Sequence, residues 1–219
     1  MINIKSRCSS AREELAIVSM GKINRWEDHY TRRAREEQWL ARSVYKIEEI
    51  DKKVRLLHAG DRVLDLGCYP GSWSQYSVSK IGPKGHVVGV DLKKPDRFSS
   101  PCFKFIQADV LSVDVEWIEK QVGPRDVVIS DLAPATSGIR VTDASRSMEL
   151  ALKALSIALA VLETGGHFLC KVFEGPDVTA LRAELARHFS RVQTLRPSAV
   201  RKASTEIYLL AMKRSSKVA

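Results

Sequence analysis

Two glycines after a short apolar run have the types and spacing of a nucleotide-binding turn. Gly67 and Gly71 follow the apolar segment 63–66 and are spaced Gly-x-x-x-Gly. Glycine allows sharp backbone turns and close approach of a ligand. The spacing differs from the Gly-x-Gly-x-x-Gly fingerprint that cradles a pyrophosphate. The segment therefore favours a cofactor that carries adenosine without phosphates, which indicates S-adenosylmethionine.

Acidic residues close two further apolar runs. Asp91 ends the run 86–91, 24 positions after Gly67, where a carboxylate can accept hydrogen bonds from both ribose hydroxyls. Asp109 follows the run 103–107 and could accept from an adenine amino group. Either aspartate could instead only cap a loop or a helix, and Asp91 alone also suits NAD. Because open α/β sheets bind ligands at the carboxyl ends of their strands, the set as a whole favours a cofactor site.

Four polar residues stand where buried apolar side chains would be typical, namely Lys46, Asp131, Lys171 and Glu206. Lys171 is the most distinctive, because it interrupts the apolar run 168–173. Burial of an unpaired ammonium group is costly. We therefore expect Lys171 to have an acidic partner, rather than to extend past the strand end into solvent.

Alternating strands and helices must position these residues. The apolar runs predict strands over 62–66, 86–91, 103–107, 126–131, 167–173, 191–195 and 206–212. Helical periodicity predicts one amphipathic helix over 31–54 and another over about 143–162, the second ended by Gly165 and Gly166. The alternation is typical of a doubly wound α/β sheet, and the last two strands are close enough to form an antiparallel pair.

Composition limits the classes of function. A chain of 219 residues with 44% hydrophobic residues suits one α/β domain, and we expect an N-terminal extension over 1–30 and a catalytic domain over 31–219. The excess of 35 Lys and Arg over 26 Asp and Glu, +9, favours a polyanionic partner. Scattered cysteines and histidines predict free thiols and no metal site. We also expect no membrane span and no secretory signal, and therefore a cytoplasmic protein.

From residue 39 to 213 the sequence closely resembles the FtsJ family of RNA ribose 2'-O-methyltransferases. The resemblance rests on the segments Arg42-Ser-Val-Tyr-Lys46, Asp65-Leu-Gly-Cys-Tyr-Pro-Gly-Ser-Trp-Ser-Gln75, Ser130-Asp-Leu-Ala-Pro134 with Ser137-Gly138, Lys171-Val-Phe-Glu-Gly175 and Arg201-Lys-Ala-Ser-Thr-Glu-Ile-Tyr208. It implies a Rossmann-like methyltransferase fold, with a seven-stranded, mostly parallel sheet that has one antiparallel strand and helices on both faces. It also implies S-adenosylmethionine as cofactor.

By the same resemblance, the catalytic residues are Lys46, Asp131, Lys171 and Glu206. The cofactor residues are Gly71, Trp73, Asp91, Asp109 and Asp131, to which the glycine spacing adds Gly67. Methylation of a ribose 2'-hydroxyl requires the oxygen to be oriented and its proton removed. We hypothesise that Lys171 is the base or positions the hydroxyl, that Lys46 stabilises developing oxyanion charge, and that the two carboxylates orient the lysines.

The chain departs from the family pattern at three positions. Cys68 and Tyr69 stand where small residues are commoner, and Ser72 replaces a glycine. Tyr69 could add a stacking surface or narrow the pocket, which affects the affinity for the cofactor more than its identity.

By the same resemblance, the preferred substrate is a uridine of 23S ribosomal RNA in the large ribosomal subunit, and transfer RNA or another RNA is the alternative. The RNA is expected to contact Arg32, Arg33, Arg35 and the segment 196–202, and we expect a monomer. Two alternatives from other classes are a NAD-dependent oxidoreductase, which rests on Asp91 alone, and a non-catalytic RNA-binding module.

Overall fold

A computed structural model describes residues 29–216 of the chain. Its helices are α1 His29–Glu36, α2 Val44–Val54, α3 Ser72–Ile81, α4 Val115–Val122, α5 Arg140–Val161 and α6 Val178–His188. Its strands are β1 Arg62–Leu66, β2 His86–Asp91, β3 Phe103–Gln107, β4 Arg125–Ser130, β5 Leu162–Phe173, β6 Phe189–Leu195 and β7 Glu206–Arg214. Strands and helices alternate from β1 onward, as the periodicity predicts.

The strands form one seven-stranded sheet in the order β3-β2-β1-β4-β5-β7-β6. The pairs from β3 to β5 are parallel, whereas β7 is antiparallel to both β5 and β6. This confirms the expected mostly parallel sheet with one antiparallel strand. The chain leaves β1 toward one edge and β4 toward the other, so the strand order reverses between them. That reversal opens a crevice at the carboxyl ends of β1 and β4.

Alternate residues along the strands separate two hydrophobic cores, one on each face of the sheet. Leu64 and Phe168 belong to the core shared with α4, α5 and α6. Val63 and Leu169 belong to the core shared with α1, α2 and α3. Because both faces are covered, the central strands are mostly apolar. A polar side chain on such a strand is therefore held within the protein.

The single helix predicted over 31–54 is wrong, since two helices occupy this range. Gln38 has a left-handed backbone conformation with φ of 60°. The side-chain amide of Gln75 on α3 accepts from the N–H of Leu40 at 3.2 Å and donates to the carbonyl of Gln38 at 3.1 Å. Gln75 thus satisfies backbone groups that a continuous helix would pair internally.

Several boundaries differ from the predicted ones by a few residues. The long helix α5 begins at Arg140 and ends at Val161, and Gly165 and Gly166 do not end it, because they lie inside β5. Pairing with β4 shifts register at this point, between Arg125 and Val127. Gly165 has φ of 85°, a conformation that glycine adopts without strain in such an irregular strand.

The predicted division at residue 30 falls inside α1, which begins at His29. Tyr30 packs against Tyr45 of α2, with ring centroids 5.3 Å apart. The rest of the predicted extension lies outside the described residues, as does Cys8. The other three cysteines, Cys68, Cys102 and Cys170, are free thiols. Within 29–216, no helix has both the length and the apolar character needed to cross a membrane.

Candidate active site

The four predicted catalytic side chains meet at the carboxyl end of the central strands. Lys46 projects from α2, Asp131 directly follows β4, Lys171 lies on β5 and Glu206 opens β7. In the β5–β7 pairing, Lys171 is opposite Tyr208, and Phe173 is opposite Glu206. The antiparallel strand thus returns a carboxylate to the edge where β4 and β5 end.

The four side chains form two ion pairs. Lys171 Nζ lies 3.0 Å from Asp131 Oδ1 and donates to the backbone carbonyl of Asp131 at 2.6 Å. Lys46 Nζ lies 2.6 Å from Glu206 Oε1. The Lys171 side chain is only 5% exposed, so its head does not extend into solvent. The acidic partner expected for Lys171 is therefore Asp131.

The charges around Asp131 keep it ionised. Burial alone would raise the pKa of Asp131, but the ammonium groups of Lys171 and Lys46 and a hydrogen bond from Tyr208 outweigh it, so the pKa is below its ordinary value. Asp131 accepts two of the N–H donors of Lys171, one on its carboxylate and one on its backbone carbonyl. An ammonium group has three donors, so one remains for a substrate oxygen.

Tyr208 joins the two ion pairs, and the sequence interpretation gave it no role. Its hydroxyl lies 2.7 Å from Asp131 Oδ1 and 2.9 Å from Glu206 Oε1. Burial, together with these two carboxylates, raises the pKa of Tyr208 well above its ordinary value, so the phenol keeps its single hydrogen. Tyr208 is two residues after Glu206 on one strand, and residues at this spacing share a face of the sheet. That spacing is the signal that could have found it.

A cavity of about 660 Å³ opens in the crevice beyond β1 and β4. Its lining includes four of the predicted cofactor residues, Gly67, Asp91, Asp109 and Asp131. The size is within the usual range for a bound cofactor. Asp131 is the point at which this cavity meets the ion pairs.

The two strand-end aspartates also organise the loops that carry them. Asp91 accepts from the backbone N–H of Tyr69 at 2.9 Å and from that of Lys93 at 3.0 Å. Asp109 accepts from the N–H of Leu111 at 3.0 Å. Each carboxylate oxygen has a second lone pair, so loop capping leaves Asp91 able to accept from a ribose diol. The cofactor role and the capping role are therefore compatible here.

The remaining two predicted cofactor residues, Gly71 and Trp73, do not line the cavity. Gly71 has φ of 110°, and a Cβ there would lie 2.9 Å from a side-chain carbon of Leu40, so backbone conformation and packing both favour glycine without a ligand. The Trp73 ring is buried, donates from Nε1 to the carbonyl of Ser43 at 2.9 Å and packs against Tyr208. The backbone N–H of Trp73 lies in the first turn of α3, where N–H groups have no partner within the helix.

The ionisable side chains that line the cavity are mostly acidic. Asp91, Asp109, Asp131 and Glu149 contribute four carboxylates, against one guanidinium from Arg146. Such a lining attracts a cation and repels a pyrophosphate. Within the described part of the chain, no group of three His, Cys, Asp or Glu side chains is placed to hold a metal ion.

Comparison with known proteins identifies the family. Two curated relatives are named Ribosomal RNA large subunit methyltransferase E. The one from Bdellovibrio bacteriovorus is 47% identical over 188 residues, which cover 84% of this chain and 95% of the relative. The one from Desulfosudis oleivorans is 45% identical over 187 residues, which cover 84% and 88%.

A crystal structure from Plasmodium falciparum, provisionally assigned as a ribosomal RNA methyltransferase, is also similar. It is 28% identical, has a TM-score of 0.71, and the match covers 80% of this chain and 97% of that one. The profile of the FtsJ-like methyltransferases matches residues 39–214. That span holds the acidic cavity and both ion pairs, and the chain belongs to the FtsJ-like methyltransferase family.

Proposed function

We propose that this protein transfers a methyl group from S-adenosylmethionine to the 2'-hydroxyl of a uridine in 23S ribosomal RNA of the large ribosomal subunit. The observation that carries the proposal is the juxtaposition of two lysine–carboxylate pairs with the acidic cavity, through Asp131. Relatives at 47% and 45% identity are named as methyltransferases of large-subunit ribosomal RNA. We also propose that the protein acts in the cytoplasm as a monomer.

The acidic cavity fits S-adenosylmethionine, which carries a sulfonium and an ammonium group. Asp91 is suited to bind the ribose diol, Asp109 to accept from the adenine amino group, and Gly67 to allow close approach of the ligand. Four lining carboxylates against one guanidinium favour a cationic ligand. The same balance disfavours NAD, because a pyrophosphate would face these carboxylates, and the family match gives the oxidoreductase alternative no support.

The bound cofactor supplies an electrophilic methyl group, and the protein positions the ribose oxygen that attacks it. The third donor of Lys171 is available to hold that oxygen, because the other two are held by Asp131. Lys46 stabilises the negative charge that develops on the oxygen, and Glu206 orients Lys46. The new bond from the ribose oxygen to the methyl carbon would replace that carbon's bond to sulfur, and the hydroxyl would lose its proton, with Lys171 as the base if its ammonium group first loses a proton.

The basic residues predicted to contact RNA lie on α1 and in the loop before β7. Arg32 and Arg35 are exposed on α1. Arg33 is engaged locally, because its Nε lies 2.7 Å from Glu37 Oε1 and its guanidinium lies over the Tyr45 ring. The segment 196–202 borders the ion pair of Lys46 and Glu206. We propose that RNA contacts this segment and the exposed arginines of α1.

Methyl transfer from labelled S-adenosylmethionine to large ribosomal subunits that lack the modification tests the proposal. Ribose-methylation mapping would identify the nucleotide, and Lys171→Ala is the catalytic control. We expect one labelled uridine, lost in the variant. Label on transfer RNA instead would keep the reaction and change the substrate. Cofactor binding with no label on any RNA would support a non-catalytic RNA-binding protein.

A further inference from the structure

A second cavity, of about 340 Å³, borders the ion pair of Lys46 and Glu206. It shares no lining residue with the acidic cavity. Asp131 lines the acidic cavity, Glu206 lines the second one, and the Tyr208 hydroxyl contacts both carboxylates. The four catalytic side chains therefore separate a cofactor side from a second side that a substrate could occupy.

The second cavity is basic. Its charged side chains are Arg42, Lys46 and Arg201, against the single carboxylate of Glu206. Burial lowers the pKa of Arg42, and the charge of Arg201 lowers it further, while Glu206 opposes both effects. The two guanidinium groups thus repel each other across a small cavity, and an anion between them would relieve that repulsion.

Arg42 and the loop that carries Arg201 are both held in place by hydrogen bonds. Arg42 donates from a guanidinium nitrogen to the carbonyl of Ala199 at 2.5 Å. The loop that carries Arg201 is fixed to α2, because Ser198 donates to Glu49 Oε2 from its backbone N–H at 2.8 Å and from its hydroxyl at 2.6 Å. Holding the loop in advance reduces the entropy lost when a ligand binds.

Side chains, rather than the start of a helix, provide the donors for an anion. The N–H groups of Val44, Tyr45 and Lys46, at the start of α2, already donate to carbonyls of the preceding turn. Guanidinium groups match the oxygens of a phosphate in pairs. Ser43 and Ser204 also line the cavity and bring hydroxyl groups.

We propose that the second cavity binds the phosphodiester of RNA next to the ribose that is methylated, with Arg201 and Arg42 on its oxygens. The inference rests on the proposed function and adds a subsite to it. In RNA the 2'-oxygen and the 3'-phosphate are on adjacent carbons of one ribose. A hydroxyl held at Lys46 and Lys171 therefore places that phosphate close by, and Lys46 belongs to both the cavity and the ion pairs.

Arg201→Gln tests the subsite, with Arg182→Gln as the matched control. Both changes remove one exposed arginine charge. Arg182 lies on α6, however, and α6 packs on the face of the sheet opposite to α2 and to the loop that carries Arg201. Methylation of unmodified large ribosomal subunits is measured over a series of salt concentrations. We expect Arg201→Gln to raise KM about tenfold and to reduce the salt dependence of KM by about one counterion. Arg182→Gln is expected to stay within twofold of the wild type.

Two further readouts separate the subsite from folding and from the proposed function. Affinity for S-adenosylhomocysteine and the melting temperature should be the same in both variants and the wild type. Equal effects of the two variants on KM, with the wild type active, would overturn the phosphate subsite and leave the proposed function intact. A wild-type protein that methylates no ribosomal RNA would overturn both.

Discussion

The two cavities beside the proposed catalytic side chains have opposite charge. Four carboxylates and one guanidinium line the larger cavity, whereas three cations and one carboxylate line the smaller one. In the larger cavity Asp91 and Asp109 are partnered by backbone groups of nearby loops. Lys46 is instead paired with Glu206, and Lys171 with Asp131. This contrast suits the proposed methyl transfer from a cationic donor to a polyanionic acceptor, with Lys46, Asp131, Lys171 and Glu206 at the boundary between the two cavities.

The boundary should be the most sensitive region, because each of its charges is paired with a side chain that is at most 17% exposed. We expect Lys171→Ala to reduce the single-turnover rate of methyl transfer about 10³-fold or more. Lys171→Arg keeps the charge but does not readily deprotonate, and should lose at least about 10² if Lys171 is the base. Lys153→Ala, on α5, is the control, since Lys153 donates to the carbonyl of Val113 and lines neither cavity. An arginine variant as fast as the wild type would leave Lys171 a positioning role alone.

The acidic side has a buried carboxylate that should make stability depend on pH. Asp65 is fully buried, and its Oδ1 has no hydrogen-bond partner among residues 29–216. Burial raises the pKa of Asp65 from 3.8 to about 7, against a hydrogen bond from Ser74 and with the support of the charges on Asp131 and Asp91. In the unfolded chain Asp65 ionises at its ordinary pKa of 3.8, whereas in the folded protein it stays protonated up to about pH 7. The free energy of unfolding therefore falls as pH rises from about 4 to 7.

Asp65→Asn removes the titration and nearly preserves the shape. Relative to the wild type, the variant should gain up to about 4 kcal/mol in free energy of unfolding between pH 4 and pH 8. Urea denaturation at several pH values measures the difference. Parallel stability curves for the two proteins would show that Asp65 does not titrate in this range.

Asp91 lines the acidic cavity and not the basic one, so its removal should affect cofactor binding alone. Asp91→Asn is expected to weaken S-adenosylhomocysteine binding by about 10-fold to 100-fold, because hydrogen bonds to a charged acceptor contribute about 1.5–3 kcal/mol. Calorimetric titration measures it, and Asp96→Asn, exposed in the following loop, is the matched control. Affinity within twofold of the wild type would exclude Asp91 from the ribose contact.

Tyr69 should have the smallest effect, because it lines the acidic cavity only at its exposed rim. Its side chain is half exposed, with the Lys93 ammonium 5.8 Å from the ring centroid. Tyr69→Ala should weaken S-adenosylhomocysteine binding about twofold to tenfold, the usual range for an aromatic contact. Tyr69→Phe keeps the ring and should bind like the wild type. Equal losses in both variants would assign the contact to the hydroxyl.

The sequence was sufficient to predict features that depend on residues close together in the chain. Apolar runs located all seven strands, and strand-end aspartates indicated the cavity they line. The break between α1 and α2 was not predictable in this way, because it depends on Gln75, which is 35 residues away from Leu40 in the chain. The basic cavity was missed for the same reason, since α2 and the loop before β7 approach each other only in the fold.

The Tyr208 hydroxyl has a single hydrogen to share between two carboxylates. It lies within hydrogen-bond distance of both, so one of these contacts has no hydrogen at any moment. The linked group of Asp131, Tyr208 and Glu206 is therefore one proton short of full pairing. Whichever carboxylate the hydroxyl does not donate to keeps only its lysine as a partner at that oxygen, Lys171 for Asp131 and Lys46 for Glu206.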